Sequence, residues 1–328
     1  MNARPAGVSD DDVRGALSET WRIDAASLDY APVGAGSYHW IATNRAGERF
    51  FVTVDDLDAK PWLGSDREVV FAALRRCYES AQRLHDERHL EFVVAPVGGT
   101  ASRLNEQFTI ALFPLLEGRR LGRFDTPPEA GAEIVELLAR LHDAGDAVRD
   151  VAPTLSLEIH ERAGLRDAMA TLDQRWTSGP LAEDVRAWLG ANAEAIECGL
   201  RSYEALAQRV SARSTPVITH GEPHAGNFMR VNGTLNLVDW DTVAFAPPER
   251  DLWLCCRNGS DGAALYRQAT GRAVDPEAIN LFTIRWDLAD IASYIVYLRH
   301  PHTDSEDTRR AIDVLRRMDV AGLIPRGL

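Results

Sequence analysis

A chain of 328 residues, 45% apolar and 26% charged, has the make-up of a globular protein and enough length for two lobes. Its 49 acidic and 36 basic residues leave a formal charge of −13, which argues against a nucleic-acid partner and favours a cationic small molecule by long-range attraction. The polar start MNARPAGVSDDDVRG reads as no signal peptide, no apolar run approaches the roughly 20 residues of a membrane span, and Cys77, Cys198, Cys255 and Cys256 lack C-x-x-C spacing; the expectation is a cytoplasmic protein with reduced thiols and no membrane or protein partner implied.

Val8, Val13 and Leu17 lie at roughly helical spacing after a possible cap at Ser9, which predicts an opening helix over 8–18. Two β-prone stretches, 28–33 and 38–42, then flank Gly34-Ala35-Gly36-Ser37. Glycines in such a turn let backbone approach phosphates closely, although the same pattern serves an ordinary hairpin. Arg49 to Val54, RFFVTV, reads as a strand, and Asp55-Asp56-Leu57-Asp58 as the solvated turn after it. Lys60 is the only lysine. Residues 65–83 predict a helix capped by Ser65, with Glu68 completing a capping box and Val69, Ala72, Ala73 and Arg76 along one face. Phe92 to Val97 and Phe108 to Phe113 read as strands.

Pro127-Pro128 opens a helix whose Ile134, Leu137, Leu138 and Leu141 repeat at i, i+3, i+4, i+7. From about 155 to 213 the pattern is helical with a break at Gly179-Pro180, and Val185, Leu189, Asn192, Ile196, Leu200 and Tyr203 form a core stripe. A last helical region buries Ile279, Phe282, Trp286, Ile291 and Ile295, while Asp287, Asp290 and Tyr294 share another face. That acidic face is either solvated or a seat for a cation.

Most of the chemistry falls between His220 and Asp251, in HGEPHAGNFMRVNGTLNLVDWDTVAFAPPERD. His220, Glu222, His224 and Asn227 sit in loop sequence behind the β-prone Pro216–Thr219. Asn232-Gly233, between two β-prone runs, predicts a tight hairpin that folds Asp239 back towards Asn227. An amide oxygen and carboxylates gathered in this way suit Mg²⁺. Zinc on His220 and His224 with Asp239 or Asp241 is the alternative, opposed by Gly221, Pro223 and Gly226, which break the helix that such histidine spacing requires.

HGExxxxN followed by a hairpin and D-x-D resembles the aminoglycoside phosphotransferase family, with spacing most like its spectinomycin phosphotransferase branch. The resemblance implies an α+β, bilobal protein-kinase-like fold: a small β-rich N-lobe over 1–113, a hinge over 114–118 and a large, mostly helical C-lobe over 119–328. It implies ATP or GTP with Mg²⁺, and transfer of the γ-phosphoryl to a hydroxyl of a small-molecule antibiotic, in place of which a metabolite kinase or a nucleotide-binding protein without turnover stays open. By position, Glu222 would orient and deprotonate the acceptor hydroxyl, Asn227 and Asp239 would hold the metal, and Asp251 would hold the catalytic loop's backbone. Gly34, Gly36 and Ser37 would cover the phosphates, Pro114 and Leu116 would lie at the adenine, and His142 would be structural. His224, Asp287, Asp290 and Tyr294 would face a cationic substrate. Two positions depart from the family: Glu222 stands where it has aspartate, and Thr53 where it has the phosphate-binding lysine whose helix partner would be Glu68; either Lys60 or a nearby arginine substitutes for that lysine, or Mg²⁺ carries the missing charge, or the protein no longer transfers phosphate.

Overall fold

The computed structural model describes residues 3–34, 36–122, 127, 130–256 and 261–323. The chain divides into two compact units, Met1–Leu155 with Thr215–Val274, and Ser156–Ser214 with Asp275–Leu328.

The first unit opens with helix α1 (Asp10–Trp21), capped by Ser9 in a capping box with Asp12. A five-stranded antiparallel sheet follows, built from β1 (Ala25–Ala31), β2 (Ser37–Asn44), β3 (Arg49–Asp56), β4 (Ser102–Arg103) and β5 (Phe108–Pro114) in the order β1-β2-β3-β5-β4. Strand alternation splits its side chains between two cores. Trp40, Ala42, Val52, Val54, Ile110 and Leu112 pack with Val13 and Leu17 of α1. On the other face, Ala111 and Phe113 pack with Leu74 and Tyr78 of helix α2 (Arg67–Asp86). Thr53 and Asp55 fall on that second face, two residues apart.

Several expectations are corrected here. The α2 cap is Asp66, whose carboxylate accepts from the amides of Glu68 and Val69 at 3.1 and 3.0 Å, so the Ser65–Glu68 box does not form. The buried face of α2 runs through Val70, Leu74, Cys77, Tyr78, Ala81 and Leu84, whereas Val69 is 48% exposed. Phe92–Val97 is not a strand: it is an extended strap bonded to Leu237 on one side (Leu237 N to Phe92 O, 2.7 Å; Val94 N to Leu237 O, 3.0 Å) and to Leu112 on the other (Val97 N to Leu112 O, 2.8 Å). Asp55 and Asp56 still belong to β3, with Asp55 fully buried, and Leu57 after them is buried, so of the expected solvated turn only Asp58 is exposed.

Past β6 (Arg119–Arg120), helix α3 (Gly131–His142) starts after Ala130, later than the Pro127-Pro128 pair implies; Pro128 lies outside the described residues. β7 (Val217–Thr219) pairs with β10 (Ala244–Ala246), and β6 pairs with β8 (Phe228–Val231), which pairs in turn with β9 (Thr234–Leu237). Asn232 and Gly233 both take positive φ, 49° and 88°, as a two-residue hairpin turn requires. Short α6 (Glu249–Leu252) and α7 (Gly262–Thr270) complete the unit, α7 packing on α3.

The second unit is helical: α4 (Arg162–Ala170), α5 (Ala182–Ser211), α8 (Pro276–Arg299) and α9 (Glu306–Arg317), with α4 and α5 both packed on α8. The expected stripe on α5 is buried except at Asn192, whose amide bonds the Trp188 carbonyl at 2.8 Å. On α8, Phe282, Ile291 and Ile295 are buried, whereas Ile279 and Trp286 are half-buried. Among the described residues no helix is long and apolar enough to cross a membrane.

Candidate active site

The catalytic-loop sequence leaves β7 and turns at Gly221, where φ is +103°. Asp251, at 0% exposure, holds that turn: its carboxylate accepts from the amides of His220 at 2.8 Å and Gly221 at 2.7 Å, and from His142 Nε2 at 3.1 Å. Burial alone would raise the Asp251 pKa, but the hydrogen bond from His142 and the surrounding positive charge hold it below the usual carboxylate range. His142 Nδ1 in turn meets Tyr266 Oη at 2.8 Å, which makes this histidine structural as expected. Arg250 bonds Thr219 Oγ1 and the Thr242 carbonyl, each at 2.8 Å, and Thr242 Oγ1 donates to the His220 carbonyl at 2.8 Å. His220 is fully buried; Nε2 lies 3.0 Å from the Val238 carbonyl and Nδ1 accepts from the Glu222 amide at 3.2 Å. Burial pushes its pKa down to about 4, so the ring is neutral.

Beyond that anchor the loop closes on itself. The Asn227 side-chain nitrogen donates to the Glu222 carbonyl at 2.9 Å, and the Val238 amide donates to the Asn227 carbonyl at 2.9 Å. The hairpin thus returns Asp239 to the neighbourhood of Asn227. With its amide nitrogen engaged, Asn227 presents oxygen as its remaining donor atom. Glu222 and His224 are half-buried; His224 caps the 225–227 turn, its Nδ1 accepting from the Gly226 amide at 3.2 Å, and burial lowers its pKa to about 4.

Asp239 adopts φ +72°, a left-handed conformation that non-glycine residues hold only when their surroundings impose it. Asp239 is exposed to solvent, yet protein crowds its carboxyl closely enough that desolvation, followed by the charge of Asp241, pushes its pKa up to about 7. An amide oxygen and a carboxylate that a neighbouring negative charge opposes form a donor set suited to a hard divalent cation such as Mg²⁺. Among the described residues no group of three or more His, Cys, Asp or Glu has metal-binding geometry, which leaves the zinc alternative without a ligand cluster.

At the sheet, Gly34 and Gly36 take φ of 72° and 96°, and Ser37 Oγ donates to Asp55 Oδ1 at 2.6 Å. Ala35 lies outside the described residues. Thr53 is buried with Oγ1 3.3 Å from His39 Nδ1, and no lysine stands there. Glu68 does not enter the site: its side chain is 85% exposed and pairs with Arg103 at 2.6 Å. Pro114 ends β5 opposite Phe50 and is exposed, and Leu116 is half-buried in the segment before β6. Gly118 packs so closely that a β-carbon would meet the Arg230 carbonyl at 2.5 Å.

The structure also brings Lys60 and Asp241 together with Asp55, Tyr78 and Arg120, three residues that the sequence did not single out for the site. Lys60 lies 2.6 Å from Asp241 and 3.0 Å from Asp55, and Tyr78 Oη donates to Asp55 at 3.1 Å. Arg120, exposed on β6 opposite Met229, acts electrostatically on Asp239, His224 and His39 alike. Only Asp55 left a usable signal, since a residue two along a strand from Thr53 shares its face.

Asp287, Asp290 and Tyr294 are half-buried on α8 of the second unit. Burial and then the charge of Asp287 push the Asp290 pKa up to about 7, so this face differs from a freely solvated acidic one.

Comparison with known proteins bears on this arrangement. Residues 40–282 match the phosphotransferase enzyme family. Protein StrN of Streptomyces griseus is 31% identical over 233 residues, 66% of this chain and 68% of that protein. Among solved structures, spectinomycin phosphotransferase APH(9)-Ia, in complex with ADP and spectinomycin, aligns with a TM-score of 0.74 at 15% identity, covering 98% of this chain and 99% of that one. Amicoumacin kinase hAmiN, in complex with AMP-PNP, Ca²⁺ and Ami, aligns with a TM-score of 0.62 at 12% identity, covering 97% and 96%. At these identities the structures speak for the fold, an antiparallel N-terminal sheet with a helical C-terminal region of kinase-like type.

Proposed function

The chain belongs to the phosphotransferase enzyme family, and from that premise we propose that it moves the γ-phosphoryl of ATP or GTP to a hydroxyl of a small cationic antibiotic of aminoglycoside or spectinomycin type, conferring resistance in the cytoplasm. The observation that carries this reading is the loop pinned by Asp251, in which Asn227 bonds back to Glu222 and forward to Val238, the residue before Asp239. Phosphoryl transfer depends chiefly on positioning and electrostatics, and this loop supplies both.

Glu222 orients the acceptor hydroxyl and takes its proton. Its extra methylene, relative to aspartate, displaces the carboxylate, and Pro223 holds Glu222 in extended backbone, so the loop presents the longer side chain along a different path. Asn227 and Asp239 would hold Mg²⁺, which would neutralise charge on the phosphates. Gly34, Gly36 and Ser37 cover the phosphates above Thr53, the Pro114–Leu116 segment lies along the adenine, and Arg120 contributes positive charge on the phosphate side. His224 meets the acceptor, and on α8 Asp287, Asp290 and Tyr294 make a separate face suited to a cationic group. A carboxyl pair in which one pKa is raised by burial and by its neighbour is relieved by an ammonium group. Spectinomycin phosphotransferase, which has been captured with ADP and spectinomycin, is the fold neighbour that motivates the acceptor class.

The lack of a cation at Thr53 favours a second reading, a nucleotide-binding protein without turnover; a metabolite kinase would keep the chemistry and change the acceptor. Calorimetric titration with Mg-nucleotide, followed by a transfer assay over aminoglycosides, spectinomycin, choline and sugars, separates the three. We expect turnover on an antibiotic, reduced about 10²-fold or more in Glu222→Gln. Binding without transfer across the panel would favour the second reading, and full activity in Glu222→Gln would remove the base.

A further inference from the structure

The lysine missing from β3 has not simply moved along the chain. Lys60 follows the 3₁₀ turn at 57–59, and its ammonium lies 2.6 Å from Asp241 Oδ2, 3.0 Å from Asp55 Oδ1 and 3.3 Å from Ser37 Oγ. An ammonium has three N–H donors, and three oxygens surround this one. The side chain is 1% exposed, and the Trp62 ring lies 5.3 Å from the nitrogen. Burial alone would lower its pKa, but Asp241 and Asp55 raise it well above the usual lysine range, so the group is a fixed cation. Asp55 is occupied too, accepting from Ser37 Oγ at 2.6 Å and Tyr78 Oη at 3.1 Å.

One buried knot therefore ties four stretches of sequence: the start of β2 through Ser37, the end of β3 through Asp55, α2 through Tyr78, and the loop after β9 through Asp241. Asp241 stands two residues beyond Asp239, whose left-handed backbone needs outside support. Without the cation, Asp55 and Asp241 would be like charges facing each other out of water, and their repulsion would be relieved by moving the Asp239–Asp241 loop.

We propose that Lys60 is a positioning residue, a latch that clamps the Asp239–Asp241 loop to the N-terminal sheet, and that it does not contact the nucleotide phosphates. The inference rests on the phosphotransferase reading for its kinetic consequences and on the ion-pair geometry for the rest.

Because the chain has a single lysine, amine chemistry tests this directly. The intact protein, treated with an acyl-phosphate derivative of ATP that acylates lysines beside the phosphates, should show no modification on the peptide containing Lys60, whereas urea-unfolded protein should be acylated there by a simple amine reagent. Nucleotide-dependent acylation of Lys60 in the folded protein would overturn the proposal. Lys60→Met should lower kcat about 10-fold or more while nucleotide KM changes less than about threefold, and adding Asp55→Asn should recover part of the loss and raise the melting temperature relative to Lys60→Met alone. A rise in nucleotide KM with kcat preserved, or no recovery by Asp55→Asn in either readout, contradicts it. If Lys60→Met does not fold, the acylation of the wild-type protein still decides. Failure of the wild type to bind Mg-nucleotide by calorimetry would instead defeat the phosphotransferase reading, leaving the reagent accessibility of Lys60 and the melting-temperature comparison to judge the latch.

Discussion

At Gly221 a β-carbon would meet Arg250 Nη2 at 2.3 Å, on backbone already at φ +103°. Gly221→Ala would strain the turn and displace the guanidinium that bonds Thr219 and Thr242, so urea unfolding should register a loss of about 1–3 kcal/mol. Asp251 is the complementary case, a buried carboxylate that accepts from two loop amides and from His142 of α3. Asp251→Ala leaves the His220 and Gly221 amides and His142 without their acceptor, which should cost about 3–5 kcal/mol and abolish transfer. Arg120 lends itself to a kinetic test: Arg120→Gln should raise nucleotide KM about tenfold with little change in melting temperature, because the side chain is exposed. An unchanged KM would take Arg120 off the phosphate side.

The elements show how far local signals reach. Asn232-Gly233 was readable because a two-residue turn needs positive φ at both positions and few residue pairs accept it. Ser9 was readable as a cap because its hydroxyl can accept a first-turn amide, that of Asp12, just ahead of an apolar helical pattern. At α2 two candidate caps stand side by side, Ser65 and Asp66, and only the backbone path into the helix selects between them. Asp66→Ala should therefore destabilise by about 1 kcal/mol in thermal or urea unfolding, and Ser65→Ala should be nearly silent. The reverse order would mean that the helix starts a residue earlier. The buried face of α2 was misread because Val69, an apolar side chain left 48% exposed, drew the stripe one position off. Phe92–Val97 has strand composition but no ladder, since its bonds go to single residues on two different partners.

On the scale of the whole molecule, the loop that Asp251 pins was legible because its residues lie within one stretch, Glu222 to Asp251. The knot around Lys60 was not, because Ser37, Asp55, Tyr78 and Asp241 come together only through folding. Acid stability follows from the buried histidines. His220 has its folded-state pKa pushed down to about 4 by burial, against about 6.5 when unfolded. Between those values protons bind the unfolded chain preferentially, so stability is full above about pH 6.5 and falls by about 1.4 kcal/mol per pH unit down to about pH 4 from this residue alone. Asp251 has a depressed pKa, so its contribution is present above the unfolded carboxylate value and disappears at still lower pH. Urea unfolding between pH 4 and 8 measures the histidine contribution, and carrying the series below pH 4 measures that of Asp251; a flat profile over pH 4–6.5 would mean that His220 is accessible to protons in the folded state.

The strap at Phe92–Val97 has a mechanical consequence. Its amides and carbonyls reach the hairpin that ends beside Asp239 and, five residues later, the sheet strand that ends at Pro114. A cross-brace of this kind resists shearing between hairpin and sheet, and any breathing motion that admits a nucleotide must be taken up elsewhere. Deuterium uptake at Val94, Val97 and Leu237 should accordingly be slow and should lag well behind that of the 115–118 segment, which lies outside helix and strand.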